Sequence, residues 1–306
     1  MALAMRQALQ FTQKNIIRIN DKITRILTGE ADAHPVPFVS GLAQAYAQNW
    51  ANCPCVFVLS TGRVGTKTLT ALLALSPKVV ATHEPEPRLV KPSFDAYMEG
   101  QDLATSEKWS AVVLAARDDA VCEANRRGKI YVETNNRLTY LAPALAVAFP
   151  ASKFIHLHRH PYEVVRSAMR RGYYQNHNWD FARIRPRTGE LLAAQWDQLS
   201  PLEKSAWYWA RCNAESHTFL ATLPVSRRLD LRADALFAGD EETLKTLFSF
   251  SGVDFPQRER VEEVLGQKIN AARKGHFPLP SEWSETERMS VRQFVAETAK
   301  TLGYEL

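Results

Sequence analysis

The sequence predicts an α/β fold: a central, mainly parallel sheet with helices on both faces, three layers in all. Two observations carry this. Apolar stretches of five or six residues alternate with helical stretches along most of the chain, the mark of parallel strands joined by helical crossovers. The residues with chemistry cluster where such strands end: "STGRVGTKT", "THEPEP", "ETNN" and "HRHPYEVVRS" each close an apolar run. Open parallel sheets bind ligands outside the carboxyl ends of their strands.

Taken in order, "NIIRINDKITRIL" places Ile16, Ile19, Ile23, Ile26 and Leu27 at helical spacing. It reads as an N-terminal helical extension, residues 1–50, packed on the domain or on a second subunit of a homo-oligomer. The turn-rich "TGEADAHPVPF" links it to one α/β domain over 51–306. Strands are expected at Cys55–Ser60, "KVVATH", "KIYVET", "KFIHLH" and "SRRLDL". Helices are expected from about Thr66, between Phe94 and Arg127, from about Leu141 and over Tyr162–Arg171. Two more follow, "EKSAWYWARCNAESHTFLATL" and a terminal one from about Ser284. Between Gly172 and Pro201 the chain is irregular and dense in aromatics and arginines, so about 172–203 reads as an insertion.

The 306 residues are 45% hydrophobic and 23% charged, ordinary for a globular protein with a full core. A net charge of +5 suits an anionic ligand but is too small and scattered for nucleic acid. Four cysteines without a CxxC pair make no disulfide framework, and Cys53-Pro54-Cys55 reads as structural. A reducing, cytoplasmic setting fits. No apolar run approaches the roughly 20 residues that span a bilayer, and no secretory signal opens the chain.

"CVFVLSTGRVGTKTLTALLALS" is a buried strand, a glycine-containing turn and a helix start, which together make an anion site. A nucleotide triphosphatase would show G-x-x-x-x-G-K-[ST] there. Here Lys67-Thr68 end the motif correctly, but Thr61 and Thr66 replace its two glycines. Gly62-x-x-Gly65 also lacks the third glycine of a dinucleotide fold. Where a triphosphatase holds magnesium with an Asp, "KFIHLH" is followed by Arg159, which attracts a second anion instead. Ser167, eight residues on, lies two helical turns away and adds a hydroxyl. Two anion sites imply a ligand phosphorylated at two separated points.

"LSTGRVGTKTL", "LHRHPYEVVRS" and "NAARKGHF", in this order, resemble the nucleotide-binding segments of the sulfotransferase family, which uses 3'-phosphoadenosine 5'-phosphosulfate. The resemblance covers about Cys55 to Gly275 and implies a P-loop-like fold of bacterial type. It implies that Arg63, Gly65, Thr66, Lys67 and Thr68 hold the 5'-phosphosulfate, and that Arg159 and Ser167 hold the 3'-phosphate. Arg273, Lys274 and Gly275 would close over that same phosphate, and adenosine 3',5'-bisphosphate would be the product. Arg63 stands where many members have Lys, and Ala271 where an aromatic often precedes the late motif.

In-line sulfuryl transfer needs cations at the leaving oxygen and no metal; Arg63 or Lys67 would serve. An acceptor hydroxyl needs a general base. Glu84 in "ATHEPEPR" is the first candidate and His83 the second, with Glu84 alternatively an ion-pair partner of Arg63 or Lys67. His156, His158 and His160 alternate on one strand face; they read as hydrogen-bonded core histidines in preference to zinc ligands. Glu133 and Asn135 would orient a small-molecule or saccharide acceptor or cap the next helix. Tyr173, Tyr174 and Trp179 in the insertion would stack on the acceptor, and its arginines would recruit acidic groups. Trp207 and Trp209 read as core. The competing functions are a small-molecule kinase with a degenerate P-loop and a non-catalytic nucleotide-binding relative.

Overall fold

The run "CVFVL" is apolar at every position because both faces of its strand are covered. Strand β1 (Cys55–Leu59) is buried throughout, as a strand between two helical layers must be. Its side chains alternate between two cores. Val56 and Val58 join one cluster, while Cys55, Phe57 and Leu59 join the other. A computed structural model describes residue 50 and residues 52–100, 103–267 and 277–306. The described residues all belong to the compact unit 42–306. The expected N-terminal helix and Arg273-Lys274-Gly275 lie outside the described residues.

Beside β1 stand β2 (Val79–His83), β3 (Ile130–Thr134), β4 (Lys153–His158) and β5 (Arg228–Arg232). Their order is β2-β3-β1-β4-β5, and every pair is parallel. One face carries α1 (Thr66–Leu73), α8 (Glu241–Phe250) and α9 (Arg258–Gly266); α6 (Pro201–Ala221) meets the opposite face, with Asn213 at His156 and Phe219 at Phe154, and α10 (Glu285–Thr301) packs on α6. The other carries α3 (Leu103–Arg126) and α4 (Ala142–Ala148), with α2 (Val90–Glu99) packed beside them. Short α5 (Pro161–Met169) and α7 (Ala233–Phe237) follow β4 and β5 directly.

The expected strands form within two residues of their predicted ends. The helical stretch between Phe94 and Arg127 divides into α2 and α3 on either side of Gly100. The helix expected from Leu141 begins as a 3₁₀ turn, Asn136–Leu141, capped by the Asn135 side chain. Trp207 and Trp209 are core, as expected. Among the described residues all four cysteines are free thiols. Burial pushes the Cys55 thiol well up, so it is no reactive thiolate. No described helix is long and apolar enough to cross a membrane.

Below the carboxyl edge lies a buried ion pair. Arg117 of α3 meets Glu133 of β3 through Nε–Oε2 and through Nη2–Oε1 at 2.8 Å. Both side chains are inaccessible to solvent. Tyr131 Oη and Asn135 Nδ2 donate to the same carboxylate at 3.0 and 3.1 Å, and Arg117 also reaches Pro87 O at 3.0 Å. Glu133 therefore corrects the acceptor-orienting expectation: its oxygens are spent on tying the loop after β2 to β3. Asn135 resolves toward capping, since its Oδ1 accepts from Arg137 N at 3.0 Å.

Removing one partner of a buried pair leaves the other charge uncompensated. Glu133→Gln should lower unfolding stability by about 3–5 kcal/mol in urea titration; a loss below about 1 kcal/mol would contradict this account of the pair.

Candidate active site

The turn after β1 is built to present backbone N–H groups. Gly62, Arg63 and Gly65 all adopt left-handed backbone, with φ of 70°, 62° and 90°, a concave arrangement that favours anions. Gly65 is the N-cap of α1 and, as glycine, supplies no side-chain cap. The first-turn N–H groups of α1 are thus left for an outside acceptor. The turn is braced from behind. Ser60 N donates to Thr139 Oγ1 at 3.1 Å, Gly62 N to Ser60 Oγ at 3.1 Å, and Tyr208 Oη to Thr61 O at 3.1 Å. Thr66 and Thr68 are nearly buried in the first helical turn, and Lys67 between them is exposed.

Gly65 is required twice over. Its φ is one that side chains rarely adopt, and a Cβ there would stand 1.9 Å from the Phe237 ring. Phe237, which closes α7, also lies under the Arg159 guanidinium, 5.8 Å from ring centroid to Cζ. It therefore joins the two candidate anion sites, a role no sequence motif marked. Beside it, residues of α7, α8 and α9 enclose a cavity of about 350 Å³.

Arg159 follows β4 and is held loosely by Asp234 (Nε–Oδ1, 3.4 Å) and Glu163 (Nη2–Oε2, 3.5 Å). Its carbonyl accepts from Trp209 Nε1 at 3.0 Å, which fixes the backbone. Ser167 projects from α5 and accepts from Arg63 Nε at 3.1 Å. The turn after β1 and the helix after β4 are thereby joined through the side chains that the sequence singled out. Burial lowers the Arg63 pKa and neighbouring Arg171 adds to this, opposed by Tyr173 and Glu84; it remains a cation at neutral pH. Arg166 anchors the far flank of the undescribed segment, donating to Phe277 O at 3.3 Å and Pro278 O at 3.0 Å.

At the end of β2, His83 and Glu84 divide the labour. Glu84 stands in left-handed backbone, φ 47°, with its N–H on Thr134 O at 3.0 Å. Its carboxylate lines a cavity of about 170 Å³ together with Arg63. His83 lies behind it, Nε2 to Glu84 Oε1 3.9 Å. A hydrogen-bond chain settles its tautomer. Thr70 Oγ1 donates to Thr66 O at 2.9 Å, so Thr134 Oγ1 donates to Thr70 Oγ1 at 2.6 Å, and His83 Nδ1–H donates to Thr134 at 2.9 Å. His83 Nε2 is left as the bare nitrogen. Burial holds its pKa below the ordinary 6.5, with Lys67 and Arg63 lowering it further and Glu84 opposing.

The cavity beyond Glu84 is lined by the loops after β2 and β3 and by the Gly172–Pro201 segment. Tyr173 and Trp179 face it, as does Asn135. Tyr174 does not: it turns inward, donates to Ile184 O at 2.7 Å and packs on Trp196. That corrects its expected place at the acceptor. Five arginines line the cavity, Arg63, Arg88, Arg137, Arg171 and Arg183, against the single carboxylate of Glu84. Arg88 pairs with Glu86 at 2.7 Å, and Arg183 pairs with Asp180 at 2.8 Å and covers the Tyr173 ring. Arg137 and Arg171 have no ion-pair partner among the described residues.

Substituting Gly65→Ala should lower both the melting temperature and any oxyanion affinity of the turn. Adding Phe237→Ala should relieve the clash but not the φ strain, of about 1–2 kcal/mol. Equal melting temperatures for Gly65→Ala and the native chain would show that the turn is not held as described.

No curated protein matches this sequence significantly. Among solved structures, the sulfotransferase domain of the Synechococcus PCC 7002 olefin synthase superposes with a TM-score of 0.50 at 18% identity. It covers 83% of this chain and 95% of that one. The sulfotransferase domain from the curacin biosynthetic pathway gives 0.52 at 18% identity, over 83% of this chain and 98% of that one. Likeness at such identity speaks to the fold alone, and here it agrees with the P-loop-like parallel sheet. The model of the sulfotransferase family matches residues 54–257, well over half of the sequence, and the chain belongs to that family.

Proposed function

We propose that this sulfotransferase moves a sulfuryl group from 3'-phosphoadenosine 5'-phosphosulfate to a hydroxyl of a small-molecule or saccharide acceptor that carries an anionic group. One observation carries the donor assignment. Arg63, in the turn that leads to the uncapped start of α1 at Gly65, donates to Ser167 at 3.1 Å, and Phe237, packed on Gly65, lies under Arg159. Two anion sites so placed suit a nucleotide with phosphates at two positions. The N–H groups of Thr66 and Thr68 would cradle the 5'-phosphate, and Arg159 and Ser167 the 3'-phosphate. Phe237 and the cavity beside it offer an apolar wall for the base. Arg273, Lys274 and Gly275 would close over the donor, as the family resemblance implies.

In the reaction the sulfur–oxygen bond to the leaving phosphate breaks as the acceptor oxygen bonds to sulfur. Negative charge gathers on the leaving oxygen, where Arg63 and Lys67 neutralise it. The acceptor proton passes to Glu84, which faces the cavity beside Arg63. His83, neutral and tethered to Thr134, stands behind Glu84. Residues of about 172–203 form the acceptor-side insertion, where Tyr173 and Trp179 supply ring surfaces. Arg137 and Arg171, without carboxylate partners among the described residues, supply the charge that favours an acidic acceptor.

A base of this kind contributes about 10²–10⁴-fold. Glu84→Gln should cut kcat by that factor and leave the Kd for adenosine 3',5'-bisphosphate within about threefold. Loss of binding together with turnover would make Glu84 structural. Because His83 is held below 6.5, it is unprotonated at neutral pH, so no loss of kcat/KM between pH 8 and 6.5 should vanish in His83→Asn. An acid limb above pH 6.5 that disappears in this variant would assign the base to His83. For a pair of phenolic acceptors differing by one carboxylate, Arg137→Gln and Arg171→Gln should each raise KM about tenfold for the acid alone. Equal effects on both acceptors would remove the anionic group from the proposal.

A further inference from the structure

On the face of the sheet covered by α6, His156 and His158 of β4 meet Asp230 of β5, which is in register with His156. Asp230 Oδ1 lies 3.2 Å from His156 Nδ1 and 2.9 Å from His158 Nε2, and the three donor atoms fall within 4.8 Å of one another. The imidazoles are 0% and 3% exposed, while the Asp230 carboxylate is 43% exposed, so the cluster opens to solvent on one side. There α6 adds His217, with Nδ1 3.9 Å from Asp230 Oδ2. His160 does not share this face, contrary to the alternation read from the sequence. β4 ends at His158, and His160 instead caps α5 and contacts Glu305 O.

The protons in this cluster can be followed one by one. Asn213 Nδ2 donates to Trp209 O at 2.8 Å, so the oxygen of that amide is what faces His156 Nε2, at 2.9 Å. An amide oxygen only accepts, and Nε2 must carry the proton. A neutral His156 then aims a bare lone pair from Nδ1 at a carboxylate oxygen. Nδ1 makes no hydrogen bond although it is fully buried. Two electron-rich atoms 3.2 Å apart in the interior repel each other unless positive charge lies between them. A proton on Nδ1 would supply it through a hydrogen bond to Asp230, but the alignment for that bond is missing.

His158 points the same way. Its Nδ1 is 2.8 Å from Tyr304 Oη and can donate to it, which leaves Nε2 free toward Asp230. Each imidazole thus turns one nitrogen inward and gives the other to an oxygen partner, Asn213 or Tyr304. Metal-bound histidines are oriented in this manner.

We propose that His156 Nδ1, His158 Nε2 and Asp230 Oδ1 form a binding site for a divalent first-row transition ion of the zinc type. The two imidazoles and one carboxylate are ligands such ions accept, at bonds of about 2.0–2.2 Å. The remaining position faces solvent and His217. The ion takes no part in sulfuryl transfer. It fastens β4 to β5, to α6 through Asn213, and to the chain's last residues through Tyr304. His158 immediately precedes Arg159, so the clamp steadies the strand end from which that arginine extends.

The test is metal content and metal-induced stabilisation of the full chain. After growth with zinc and dialysis against metal-free buffer, mass spectrometry of the element should find about one zinc per chain. Stripping with chelator should lower the melting temperature by several degrees and zinc should restore it. Asp230→Asn, at a half-exposed position, should reduce zinc affinity by at least about tenfold. If that variant fails to fold, equilibrium dialysis of zinc against the unaltered, stripped chain decides alone. No retained or rebound metal, with no thermal shift on adding zinc, cobalt or nickel, overturns the proposal. So does undiminished zinc binding by folded Asp230→Asn.

Discussion

The position of β1 between β3 and β4 is the constraint on which the site depends. Chain connections from β1 first run to one side, through β2 and β3, then to the other, through β4 and β5. Loops leaving β1 in one direction and β4 in the other open a crevice at the carboxyl edge. Arg63 and Ser167, 104 residues apart in the chain, span it with one hydrogen bond. The apolar runs make this geometry durable, because β1 is committed to two cores at once and a one-residue slip would exchange the side chains that fill each of them.

Electrostatics then give the crevice its sign. The left-handed turn and the bare start of α1 add partial positive charge from the backbone, which costs no side-chain ordering when an anion arrives. Around them cations outnumber carboxylates, and those carboxylates that approach closely, Asp234 and Glu163, hold Arg159 at 3.4 and 3.5 Å. Such long contacts keep the guanidinium oriented without neutralising it. Glu133, by contrast, is withdrawn from the crevice and neutralised by Arg117 beneath it. A second carboxylate left free there, beside Glu84, would oppose the anion that the rest of the edge attracts.

Much of this was legible in the residues. The strand–turn–helix at Cys55–Leu73 and the Arg159–Ser167 spacing are local patterns, and local patterns survive folding. What escaped was long-range. Nothing near Glu133 announces Arg117, sixteen residues earlier on a helix, and a strand-end Glu looks the same whether it faces a ligand or a core. Tyr173 and Tyr174 are neighbours, yet only one faces the cavity, since an irregular segment has no period from which orientation can be read. Phe237 was equally silent. Its place over Gly65 depends on how α7 lies against the turn after β1. The alternation of His156, His158 and His160 was read one histidine too far, because Pro161 starts α5 and takes His160 out of the strand.

The central claim is that this crevice accepts two separated phosphates without a metal-bound triphosphate. Thermal stabilisation tests it most directly, with adenosine 3',5'-bisphosphate measured beside 5'-AMP, ADP and ATP–magnesium. A ligand at a hundredfold its Kd adds about 2.7 kcal/mol, several degrees in a chain of this size. The account predicts a shift with the bisphosphate, unchanged by added magnesium or chelator at the nucleotide, and little with 5'-AMP. A shift with ATP–magnesium and none with the bisphosphate would contradict it.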